Sequence, residues 1–441
     1  MSFSRKAAAK NAVWRRVLSP LALVAVASVG LAGVHAPAAA QKKKEQAAPK
    51  ASYSKEFVAA YQPVQAQATA ANVDYNALKA SVPIFTAAAS TPDDKLAAGR
   101  MVFTIGQKTS DNALALQGAE MVLASGKADP TTVGQFNFVA GQLAYNLKDY
   151  AKARAYTEAA IKAGYTDNDP QLMLAEAYFA ENQFAPGLKV LSDAIAARKA
   201  AGQPVPEAWV KRGLATAYSN DLAADAHKWS LMYARDFPSQ TSWGDAIAIA
   251  VNTGNYQPAE MLDLLRLARR TNGLRTRAMY LEYVDAADAR KLPNEVVTVL
   301  DAGVAAKLVD NNLQLVKDAR AVAATRIAAD KAELPALQRD ANASGAKLVT
   351  VMAAADTLLS YGKAAEAEAF YAKAAAMPGA NVPLVLTRMG IAQVDQGKYA
   401  DAQSTFAKVQ GARQQIANLW ALHAEQKAGG TTAAATSTTV G

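Results

Sequence analysis

The sequence contains no cysteine and only three histidines. Without thiols there can be no disulfide framework, thiolate nucleophile, zinc–thiolate site or lipid-acceptor cysteine. An oxidising compartment is tolerated but not demanded. His35, His227 and His423 share no metal-ligand spacing with one another or with carboxylates. No Gly-x-Ser-x-Gly elbow is present. Tyr361-Gly-Lys363 lacks the upstream glycine and the following hydroxyl of a phosphate loop. No convincing strand precedes a glycine-rich turn, which removes the dinucleotide fingerprint. Carboxylate pairs fare no better. Glu366 and Glu368 stand two apart on a helix and diverge. Asp167 and Asp169 before Pro170, and Asp93–Asp94 after Pro92, are placed to cap helices. The sequence therefore predicts no catalytic residue, no cofactor and no metal.

One-sided charge is also scarce once its location is considered. The net charge is +9, from 47 basic and 38 acidic residues. Residues 1–50 hold nine of the bases and one acid, Glu45, which leaves 38 bases and 37 acids for the rest. A nearly neutral body offers no broad phosphate-neutralising surface, so no nucleic-acid partner is expected.

The basic excess belongs to an address segment. A basic start ending in Arg15–Arg16 precedes the apolar stretch 17–34, then small residues to Ala38-x-Ala40 and polar Gln41-Lys-Lys-Lys44. This order predicts a signal peptide over 1–40, cleaved after about residue 40. An uncleaved anchor is the alternative, but Ser19-Pro20 and two glycines interrupt a barely sufficient span. The neighbours of Arg15–Arg16 fit twin-arginine export poorly, favouring the general secretory route. No second long apolar run occurs, so no stable membrane span is expected after cleavage. Residues 41–51 read as a flexible linker and 428–441, rich in Gly, Thr and Ala, as a disordered tail.

What the sequence has in abundance is alanine, in a recurring phrase. Gly390, then Gln-Gly-Lys-Tyr (396–399), Ala402 and Phe406 form the clearest copy. Gly141, Ala144, Lys148-Asp-Tyr150, Ala153 and Ala160 form another. Ala175, Tyr178, Asn182-Gln-Phe184, Gly187, Leu191 and Ala194 lie 34 residues on. Ala355, Tyr361-Gly-Lys363, Ala367, Tyr371 and Ala374 repeat it, and Gly254-Asn-Tyr256 with Ala259 marks a further turn. Weaker copies thread near Ala215/Tyr218, Tyr283/Val296 and Ala319/Val322, with Pro335 expected to start a second helix. Steps of about 32–40 residues suit stacked helix pairs. Small residues let two helices approach, and an aromatic fills the gap beyond.

The phrase resembles the tetratricopeptide repeat. The resemblance implies an all-α, α-α superhelix over 136–427, preceded by a helical region over 52–135 with room for one or two divergent pairs. In such arrays the first helix of each pair lines a concave groove. Carried over position by position, this places Phe138, Gln142, Tyr145, Asn146, Glu176, Phe179, Asp356, Arg388 and Asp395 on a partner-binding groove. The resemblance supplies no Lys/Asn clamp for a C-terminal carboxylate.

Two functions are compatible with these residues. The first is a periplasmic or secreted scaffold that holds a protein or peptide partner. The second is a carbohydrate or peptidoglycan binder of the cell envelope, for which Tyr145, Phe179, Trp209, Trp229 and Trp243 would supply stacking surfaces. Core packing is the commoner fate of such aromatics.

Overall fold

A computed structural model describes residues 51–437, with side chains as far as Gly429. The expected signal peptide and nearly all of the expected linker fall outside the described residues, as do 438–441. Among the described residues every regular element is a helix. The chain divides into two compact units, one ending at Trp209 and the other starting at Val210.

The first unit holds four helix pairs: α1 (Lys55–Ala68) with α2 (Tyr75–Ala88), α3 (Pro92–Lys108) with α4 (Asn112–Ala124), α5 (Pro130–Asn146) with α6 (Tyr150–Lys162), and α7 (Pro170–Phe179) with α8 (Phe184–Ala200). Region 52–135 thus contains two complete pairs and the beginning of a third. Glycine explains the tight α3–α4 crossing. A Cβ on Gly118 would stand 2.2 Å from the backbone nitrogen of Phe103, and one on Gly106 would stand 2.3 Å from that of Ala115. Backbone packs on backbone there, which only glycine allows. In α8 the same space is given to a ring: a Cβ on Gly187 would lie 2.4 Å from Phe179.

Caps fix where helices begin. Thr91 caps α3 and Asp94 completes a reciprocal capping box, so the cap lies one residue before Pro92. Asp94 also accepts from the Ser54 hydroxyl at 2.8 Å, tying the entry of α3 to that of α1. Asp169 occupies the cap position of α7 in a left-handed conformation and makes no side-chain cap bond. The cap expected there from Asp167 or Asp169 is therefore missing, and Pro170 starts the helix instead.

The second unit takes in α9 (Glu207–Ser219), within which the division falls. It continues with α10 (Ala223–Asp236), α11 (Gln240–Thr253), α12 (Pro258–Arg270), α13 (Arg277–Ala287) and α14 (Pro293–Ala305). Here the pairing breaks. Residues expected to form a helix pair around Pro335 form one 29-residue helix, α15 (Gln314–Asn342), with Pro335 inside it. No turn residue lies near Pro335, so the chain continues through the proline with one backbone bond missing. Regular pairs resume with α16 (Leu348–Ser360) and α17 (Ala364–Ala375), then α18 (Val382–Asp395) and α19 (Tyr399–Phe406). A short 3₁₀ turn leads into α20 (Gln414–Ser437), which passes the boundary at 428 where structure was expected to end.

Among the described residues both units are all-α and built largely of helix pairs in tandem, as the repeat phrase predicted. Five of the turns within pairs share one signature: a left-handed residue at Lys148, Asn182, Asp221, Gly362 and Gly397, with φ between 58° and 76°. Two of these are glycine, where the conformation is free of cost, and three are not.

Candidate functional site

The residues expected on the groove separate into three environments. Phe138 is 2% exposed and stacks against Tyr165 at 5.0 Å. Phe179 is buried against Gly187, and Glu176 is buried as well. For these three the groove assignment is corrected. Their positions on α5 and α7 face neighbouring helices, because the small residues opposite leave space that a large side chain must fill.

Gln142, Tyr145 and Asn146 occupy one face of α5, since three- and four-residue steps bring side chains together on a helix. Asn146 is exposed, while Gln142 and Tyr145 are half-buried. The Tyr145 ring meets Tyr150 edge-on at 5.3 Å, which orients it. The face lies on the first helix of its pair, and α5 packs against α7, the first helix of the next.

Asp356, Arg388 and Asp395 belong to a different kind of site. In the second unit the last helix, α20, is seated against α10, α12 and α18. Part of the surface of these helices is thus covered by the chain itself. At the centre is Asp263 of α12, which is 0% exposed. Its carboxylate receives Arg413 Nη1 at 2.6 Å, Arg266 Nη1 at 2.9 Å and Arg388 Nε at 3.3 Å. Arg266 also forks onto Glu295 at 2.8 and 2.6 Å, and the Tyr283 hydroxyl donates to Glu295 at 2.7 Å. Arg388 reaches Asp356 at 2.7 Å, where the Tyr371 hydroxyl donates at 2.6 Å. Three guanidiniums thus face three carboxylates, and the buried set is neutral. At its edge Arg270 pairs with Asp395 and lies over the Trp420 ring at 5.2 Å.

Charge pairing sets the protonation of this cluster. Burial alone would raise the Glu295 carboxyl, but Arg266 and the Tyr283 hydroxyl outweigh it and hold it at about 2. Burial likewise opposes ionisation of Asp263, and the guanidiniums of Arg388, Arg266 and Arg413 hold it below the usual carboxylate range. Burial pushes the Tyr283 and Tyr371 hydroxyls up, so both remain donors. Such a network locks a structure: each ion is stabilised by its partners, and removing one strands the others.

The α20 seam adds neutral bonds. Trp420 Nε1 donates to the Asp263 carbonyl at 2.9 Å, and Tyr256 donates to Gln415 at 3.1 Å. Trp243 Nε1 donates to Gln426 at 3.2 Å. His423 stands edge-on between Trp243 and Trp420, and burial, aided by Lys427 and Arg270, pushes its imidazole down to about 4. His227 packs elsewhere, its Nε2 2.7 Å from the Thr253 hydroxyl.

The tryptophans expected as stacking surfaces are interior. Trp209 is 0%, Trp229 1% and Trp243 5% exposed. Trp229 fills the space left by Gly213, where a Cβ would lie 2.6 Å from the ring. Sequence reasoning did not single out Asp263, Arg266, Glu295 or Arg413. The available signal was Asp263 and Arg266, one helical turn apart within the leucine-rich run Leu262–Leu267.

Neither a family model nor a curated protein matches the sequence. Among solved structures, a match to the crystal structure of the APC/C hetero-tetramer Cut9–Hcn1 covers 78% of this chain and 69% of that one, at 13% identity and a TM-score of 0.23. Similarity at that level carries no functional argument, so function has to be read from the geometry of the chain itself.

Proposed function

We propose that this protein is a non-catalytic scaffold of the cell envelope, exported by its N-terminal segment, that holds a protein partner through the α5 face. One observation carries the choice of surface. Asn146 is exposed and Gln142 and Tyr145 are half-buried on the first helix of a pair, whereas Arg388 is buried in its ion pairs with Asp263 and Asp356 and Asp395 is paired with Arg270. An oriented tyrosine flanked by two amides suits peptide recognition: the ring supplies contact area at small entropic cost, and the amides can bond a backbone. Of the five rings the glycan alternative needs, Phe179 and the three indoles are buried and only Tyr145 is partly exposed, which weighs against it.

The test is a pull-down from envelope extract with the chain beginning at Gln41, beside the triple variant Gln142→Ala, Tyr145→Ala, Asn146→Ala. Discrete proteins should co-purify with the first and be lost from the second. Equal recovery by both, or retention on peptidoglycan without any protein, refutes the proposal.

A further inference from the structure

The second unit contains an open cleft of about 830 Å³ where the end of α12 meets the start of α13 and the outer face of α14. Three of its lining side chains are Arg269, Arg270 and Arg275, and no carboxylate lines it. The excess is local, in a body whose net charge is close to zero.

The three arginines differ in how they are held. Arg275 is fixed: its Nη2 donates to Asp245 at 2.9 Å, and its chain lies where a Cβ on Gly244 would stand 2.3 Å from Nε. Arg270 is fixed by Asp395 and Trp420. Arg269 is half-buried and makes no hydrogen bond or ion pair with any described residue. A guanidinium carries five donors in a planar fork, so Arg269 has all of them to offer and Arg275 most of its own. Arg270 and Arg275 are charge-paired already, so Arg269 supplies the uncompensated charge, and the N–H groups its two neighbours have left add positioned donors beside it. The carboxyl end of α12 opposes an anion with about half a charge, and Arg269 alone more than offsets it.

The rest of the lining narrows the ligand. Ala302 and Ala306 lie four residues apart on one exposed face, beside Leu308. This wall is aliphatic. Tyr280, the one ring in the lining, is 7% exposed, so it offers no face for a nucleobase to stack on. Carboxylates next to aliphatic side chains match both halves of the cleft, and its volume suits a few residues of peptide.

We infer that this cleft binds an acidic peptide segment in which Asp or Glu alternates with aliphatic residues. The site is independent of the α5 face and does not rest on it.

Fluorescence anisotropy of the whole chain with a labelled Glu–Leu repeat peptide tests the inference. Saturable binding is expected, weakened by added salt because exposed charges are screened. Arg269→Gln should weaken it about tenfold, the loss of a charge-assisted pair. Ala306→Glu, which sets a like charge on the aliphatic wall, should weaken it at least about as much. Neither side chain makes a hydrogen bond or ion pair among the described residues, so both variants should stay folded, the circular-dichroism melt falling by no more than about 4 °C from the charge change at a helix carboxyl end; if one variant misfolds, the other still decides. The variant Gln142→Ala, Tyr145→Ala, Asn146→Ala should bind as the unaltered chain does, which separates this site from the scaffold surface. No saturable binding, affinity kept within about twofold in the folded variants, equal affinity for a Lys–Leu peptide, or displacement by equimolar inorganic phosphate would each overturn the assignment.

Discussion

Replacing Asp263 with asparagine tests the account of the second unit most directly. Asparagine keeps the shape and one carbonyl oxygen, but its amide hydrogens meet the donors of Arg266, Arg388 and Arg413. The buried set then holds three guanidiniums against two carboxylates, Glu295 and Asp356. Stranding a buried charge costs about 3–5 kcal/mol. In a unit of this size each kcal/mol moves Tm by about 2–4 °C, so the variant should melt about 6–20 °C lower. Thermal unfolding followed by far-UV circular dichroism reads the loss. Tryptophan fluorescence is a second readout, because the Trp420 indole donates to the main-chain carbonyl of residue 263 and reports any shift of the backbone there. The double variant Asp263→Asn, Arg413→Met restores two cations against two carboxylates. It should lose less than the sum of the single changes, with coupling of about 1–3 kcal/mol. Lys189→Ala is the control, since its i,i+4 partner Asp193 is well exposed and such pairs contribute about 0.5 kcal/mol or less. A single variant that melts within about 2 °C of the unaltered chain, or strict additivity in the double, refutes the reasoning.

Other sites give further expected outcomes. The imidazole of His423 is held at about 4, below its value in the unfolded chain. Stability should therefore fall as pH drops from about 6.5 towards 4, by up to about 3 kcal/mol, and His423→Gln should flatten that part of the curve in denaturant titrations. Asp263 and Glu295 have depressed pKa values, so their stabilisation is present above about pH 4.5 and is lost as pH falls through the folded value, about 2 for Glu295. A second acid-induced loss should appear there, smaller in Glu295→Gln, which keeps only the part due to Asp263. Gly390→Ala should destabilise by about 1–3 kcal/mol, because its Cβ would lie 2.5 Å from the buried Phe406 ring. Lys148→Gly should raise stability by up to about 1 kcal/mol in chemical denaturation, since φ is 64° there and the side chain is exposed.

The helix pairs were legible because their determinants are local. Gly141, Gly187 and Gly390 mark crossings, and Lys148, Gly362 and Gly397 mark turns, all within one repeat length of what they touch. Pro335 misled for the same reason: period alone demanded a turn, while the intact backbone of a long helix outweighed one missing donor. Of the residues expected on a groove, Gln142, Tyr145 and Asn146 remain at least partly exposed. Asp356, Arg388 and Asp395 were expected on a groove, but no repeat pattern announces that each will pair with an opposite charge within the chain. Asp263 meets Arg388 across 125 positions and Arg413 across 150, so no period links them. Phe138 and Phe179 failed as groove residues because shape complementarity with Tyr165 and Gly187 governs them, and a consensus position does not encode it.

The docking of α20 on α10 and α12 changes how the second unit can assemble. In an open array each repeat touches only its neighbours, so folding can start anywhere and spread, and partial arrays persist. Here the bonds that complete α12 come from residues 388–420, and those contacts close a loop of well over a hundred residues before they return any stability. On the ribosome, α12 emerges long before Arg388, Asp395 and Arg413 and must wait with Asp263 held by Arg266 alone and Arg270 without its carboxylate. The unit should therefore melt in one step rather than fray from its ends, and chains truncated before Gln414 should be open to proteases at α12 as well as at the cut.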